Sequence, residues 1–138
     1  MGRGHVDYSG TPLAKKIGIK EGARVLVVNP PAGFTLGSLP AGVELLARAT
    51  KAMDVVVVFG TRGSDLSRRF AALVGKLAPS GRLWICWPKK GVGMDTDVTF
   101  DVAQSIGLDA GLVDNKSASI TEAFQGLQFV IRLRDRPA

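Results

Sequence analysis

The chain has one cysteine, one histidine and one tyrosine in 138 residues, and each shortage excludes something. A lone Cys86 rules out an intrachain disulfide, and its apolar neighbours mark it as a small buried hydrophobe. One histidine and one cysteine cannot build a conventional zinc site. No histidine is placed to activate a serine or cysteine nucleophile, and no catalytic motif is present. No stretch approaches the roughly 20 apolar residues of a membrane span. The start, MGRGHVDYSG, lacks the apolar region of a signal peptide. The expectation is a cytoplasmic protein, with GRGH around His5 a candidate partner contact. There is no internal repeat and no low-complexity tract.

Apolar residues make up 46% of the chain, enough for one α/β domain over 1–138, with 1–22 as an N-terminal arm and short helix. Eighteen basic residues stand against 12 acidic ones, a net charge of +6. That excess favours an anionic partner: nucleic acid, a nucleotide or an acidic protein. The basic residues are dispersed, with no run of five.

Periodicity supplies the elements. Thr11 before Pro12 reads as a helix start, Leu13 and Ile17 share a face, and Gly18 ends the helix. RVLVV (24–28) is apolar on both faces, as a strand buried in a parallel sheet is. GVELLAR (42–48) reads as a second short strand, and DVVVVFG (54–60) is the clearest one. In RLWICW (82–87), Leu83, Ile85 and Trp87 share one face, Trp84 and Cys86 the other. Both tryptophans therefore read as core rather than as base-stacking platforms.

Between the last two strands, Leu66, Phe70, Leu73, Val74 and Leu77 form a buried helical stripe. Ser64 or Asp65 is its expected cap, Asp65 and Arg69 are spaced for an ion pair, and Pro79–Ser80–Gly81 is its expected stop. A helix over 96–107 follows, with Val98, Val102 and Ile106 on one face. Asp95, Asp97 and Asp101 lie near its start, where capping accounts for them better than an incomplete calcium loop does. LQFVIRLR (127–134) alternates and reads as an antiparallel edge paired with residues 111–120. The charges of RLRDRP (132–137) then protect that edge or contact phosphate.

Two resemblances follow. MDVVVVFG, an amphipathic helix and LAPSGRLWICWPKK resemble the second half of class I S-adenosylmethionine-dependent methyltransferases, over residues 53–134. YSGTPLAKKIGIKEGARVLVVNPPAGF and GRLWICWPKK resemble a family of small actinobacterial proteins, which implies a fold and no reaction. The first resemblance implies a Rossmann-like methyltransferase fold in shortened form: a mainly parallel sheet flanked by helices, with an antiparallel C-terminal hairpin. Two departures bear on the cofactor. The glycine-rich turn after the first strand is replaced by Asn29–Pro30–Pro31–Ala32–Gly33, where the prolines remove amide donors. The acidic residue expected after the second strand is replaced by Ala47–Arg48–Ala49–Thr50–Lys51, whose arginine and lysine cannot accept a ribose hydroxyl. No cofactor and no metal is therefore expected.

Ligands of open α/β sheets sit beyond the carboxyl ends of the strands. Asn29, Arg62, Lys89 and Lys90 would emerge there, with Arg62 at a helix N-terminus. They form the candidate site for an anionic ligand carrying phosphate or carboxylate. The leading functional expectation is a non-catalytic binding or regulatory module with a basic surface. The alternatives are an enzyme acting on a nucleotide-like substrate at that rim and a nucleic-acid-binding protein.

Overall fold

A computed structural model describes residues 11–136; His5 and the rest of 1–10, and Pro137, lie outside the described residues. The order of elements is α1 (Leu13–Ile17), β1 (Arg24–Val28), β2 (Glu44–Leu45), β3 (Met53–Phe59), α2 (Gly63–Leu73), β4 (Leu77–Pro88), α3 (Phe100–Asp109), β5 (Leu112–Ser119) and β6 (Phe124–Ile131). The strands form one sheet in the order β2-β1-β3-β4-β6-β5. β1 pairs in parallel with β2 and β3, and β3 with β4. β6 runs antiparallel to β4, and β5 to β6. No helix among the described residues is long and apolar enough to cross a membrane.

Alternation in the strands divides the core into two layers. Leu26, Val56, Val58, Leu83, Ile85, Trp87, Leu127 and Phe129 meet Leu66, Phe70 and Leu73 of α2 and Ala103 and Ile106 of α3. Val25, Val55, Val57, Phe59, Trp84 and Cys86 meet Ala14 and Ile17 of α1, Leu36, Ile120 and Phe124. Both faces of β3 and β4 are thus covered, which is why their sequences lack polar alternation. The buried Trp84 indole donates to the Ile17 carbonyl (3.1 Å), anchoring α1.

Several local expectations change. Pro12, not Thr11, occupies the cap position of α1, and its carbonyl accepts from the amides of Lys15 and Lys16. The second strand is only two residues long, because only Arg24 and Val25 pair with it. Pro79–Ser80–Gly81 does not stop α2. The helix tightens into a 3-10 turn at Val74–Lys76, and the tripeptide lies in the irregular start of β4, where the register against β3 shifts. Gly81 is required there, since a Cβ would sit 2.8 Å from the Met53 carbonyl oxygen. The third helix begins at Phe100, with the Thr99 hydroxyl accepting from the Val102 amide (3.2 Å), so Asp97 precedes it. β6 is an interior strand and β5 is the edge. Arg132 and Arg134 lie beyond β6, flanking and within a 3-10 turn at Leu133–Asp135.

Candidate functional site

The chain leaves β1 for β2 on one side and returns to β3 on the other. The reversal between β1 and β3 is where an open α/β sheet forms its ligand crevice. Asn29 ends β1 with φ 55°, a left-handed conformation that asparagine tolerates. Its amide donates to the Phe59 carbonyl at the end of β3 (3.1 Å), tying the two strand ends together. The prolines come next, and the turn closes when the Phe34 amide donates to the Pro31 carbonyl (3.1 Å). On the other side of β3, away from the crevice, the Gly60 amide donates to the Cys86 carbonyl of β4 (3.0 Å). A Cβ at Gly60 would lie 2.7 Å from the Leu66 side chain, so a larger residue there would force the buried Leu66 to shift.

The first amide of α2 is satisfied from within the chain. Asp97 Oδ1 accepts from the Gly63 amide (2.8 Å), and Asp95 pairs with the Arg62 guanidinium (2.5 Å). The Thr96 hydroxyl donates to the Thr61 carbonyl (2.7 Å). The segment 95–97 therefore places two carboxylates where an anionic ligand of Arg62 and the helix N-terminus would lie. Ser64 and Asp65 do not cap the helix. Asp65 instead binds Arg69 (3.0 Å) and Arg68.

Lys89 faces elsewhere. Its ammonium donates to the Ser119 hydroxyl on edge strand β5 (2.6 Å), two strands away from β4. It borders a cleft of about 410 Å³ lined by Trp87, half-exposed Phe100, Ser119 and Gln125. Asn29 borders a different groove, beside α2. Lys90 is exposed in the following turn. The four residues thus have separate surroundings: Asn29 bonds Phe59, Arg62 bonds Asp95, and Lys89, followed by exposed Lys90, bonds Ser119 on the hairpin. Asp95 and Asp97 were legible only as caps of α3, because their partners lie 33 and 34 residues away. Among the described residues no three histidine, cysteine or acidic side chains cluster to hold a metal.

No protein-family model and no curated protein sequence matches the chain. Solved structures of similar fold include S-adenosylmethionine-dependent methyltransferases. One from Aquifex aeolicus is 20% identical, with a TM-score of 0.58 over 85% of this chain and 86% of that one. A TehB-like methyltransferase from Corynebacterium glutamicum is 12% identical, with a TM-score of 0.57 over 93% of each chain. A third, a Haloferax volcanii structure of a putative methyltransferase in complex with the activator Trm112, is 10% identical, with a TM-score of 0.64 over 90% of this chain and 88% of that one. The architecture is that of class I methyltransferases, a Rossmann-like sheet, and at these identities the likeness is one of fold.

Proposed function

We propose that the chain is a binding module on a methyltransferase scaffold that works without S-adenosylmethionine chemistry. The observation that carries this reading is the β1/β3 crevice. Its first turn holds two prolines in place of a glycine loop, the Asn29 side-chain amide donates to Phe59, and Asp97 occupies the Gly63 backbone amide. A fold likeness carries no chemistry by itself. The Haloferax neighbour, held in complex with an activator, supports partner binding as a use of this scaffold.

Isothermal calorimetry with S-adenosylmethionine and S-adenosylhomocysteine tests the reading. The expected result is no measurable heat, together with an unchanged melting temperature, since a ligand that binds only the native state raises it. Binding of either compound tighter than about 100 μM, roughly −5.5 kcal/mol, overturns it.

A second reading draws on the cleft beside Lys89, where an exposed aromatic ring lies near an ammonium group and Lys90 extends the positive edge. A nucleotide-like or other anionic ligand would be held there by Lys89 and Lys90, with Asn29 and Arg62 at the far end of the rim. A melting-temperature rise with ATP or pyrophosphate that Lys89→Ala abolishes supports this reading, and no rise with either removes it.

A further inference from the structure

The α2 side of the sheet is unevenly covered. α2 and α3 pack over the interior strands, and strands of a parallel sheet are ordinarily sheltered by helices on both faces. The connections from β1 to β2 and from β2 to β3 contain no helix. On this side a groove of about 500 Å³ therefore runs along α2. Leu26, Val28, Ala49, Ala72 and Leu73 supply its apolar surface, and Val28 and Ala49 are only partly buried.

Its borders are cationic. Arg48 stands on one side and Arg68 and Arg69 on the other, and no acidic residue borders the groove. Arg68 and Arg69 share the single carboxylate of Asp65. Arg48 is exposed and makes no hydrogen bond or ion pair with the described residues. Three guanidiniums against one carboxylate leave two positive charges beside an apolar floor.

We propose that this groove docks an acidic amphipathic helix from a partner protein, supplying the helix that this part of the sheet lacks. A helix is about 10–12 Å across with its side chains and packs about 8–10 Å from its neighbour, so it lies alongside α2. Apolar residues at i, i+3, i+4 and i+7 face Val28, Ala49 and Ala72, and flanking glutamates face Arg48 and Arg68. The proposal rests on the reading of the chain as a binding module and names the chemistry of its partner.

The test uses a fluorescein-labelled amphipathic peptide with leucines at that spacing and glutamates on both flanks, and a twin with lysine at every glutamate. Anisotropy is expected to show binding of the acidic peptide and none of the twin. Affinity should fall at least tenfold with Ala72→Trp, which fills the groove, and with the Arg48→Glu/Arg68→Glu pair. All three positions are exposed, so folding is expected to survive. Amide shifts on titrating the unmutated protein should concentrate in residues 26–29, 47–49 and 68–73, a readout independent of any variant. The proposal is overturned if the acidic peptide fails to bind at 1 mM, if the twin binds equally, if both variants bind undiminished, or if the shifts fall elsewhere. Concentration-dependent dimerisation that Ala72→Trp abolishes also overturns it, by making the occupant a second copy. Cofactor binding in calorimetry alongside intact peptide binding removes the cofactor-free reading and leaves the groove standing.

Discussion

Gly107 faces Phe129 with no room to spare: a Cβ there would lie 1.9 Å from the ring. Alanine is the better helix former by about 0.8–1 kcal/mol, but overpacking a rigid ring costs about 1–3 kcal/mol and more where nothing can move. The clash should win. Gly107→Ala is expected to lower stability by about 2 kcal/mol, read as a lower urea midpoint at unchanged slope. Cys86 is governed by burial, which pushes its thiol well above the ordinary value of 9.0. The native protein should resist a thiol-specific reagent at pH 8 and react fully in urea. The sign of the linkage follows: above pH 9.0 the unfolded thiol loses a proton that the native one keeps. Stability should therefore fall with rising pH in that range, and by less in Cys86→Ala; equal slopes in the two proteins would refute the linkage. The burial of Cys86 was legible from its apolar neighbours. The need for glycine at 107 was not, because it is set by a ring 22 positions away.

At the scale of elements, strands were read more accurately than their ends. RVLVV matches β1 because its continuous apolar residues serve both layers of the core, Leu26 one and Val25 the other, while Val27 and Val28 stay partly buried. GVELLAR shrank to Glu44–Leu45, whose residues are both exposed, so no packing extends them. The start of α2 is not legible locally because the residues that bind it are 33 and 34 positions away. Asp97 serves its first amide, and Asp95 pairs with Arg62 across solvent. The two acids should differ in worth. Asp97→Ala removes a capping acceptor and should cost about 1 kcal/mol. Asp95→Ala breaks a pair whose side chains are 49% and 87% exposed and should cost under about 0.5 kcal/mol. Thermal unfolding of the two variants side by side checks the order, and a larger loss from Asp95→Ala would reverse the assignment.

For the whole molecule, the parallel sheet with its antiparallel hairpin was visible in the spacing of apolar runs, while the strand order was not, since pairing between strands distant in sequence leaves no local mark. The candidate site was legible only as a row of strand ends. The chain then divides that row, using Arg62 for Asp95 and turning Lys89 toward Ser119. The positive charge is similarly divided. Arg24 is engaged by Glu44, Thr50 and the Lys51 carbonyl, and Arg68 and Arg69 by Asp65. Binding to DNA is therefore expected to be weak, with a log–log salt slope no steeper than about −3; a slope of about −6 or beyond would mean a contiguous phosphate-binding surface. The anchoring of α1 has a temporal consequence. Its last residue receives the Trp84 indole from 67 positions downstream, and the Lys16 carbonyl receives the Lys116 ammonium from 100 positions downstream. As the polypeptide emerges from the ribosome, this helix is synthesised before the residues that clasp it, so its docking, reported by tryptophan emission, should mark a late step of folding.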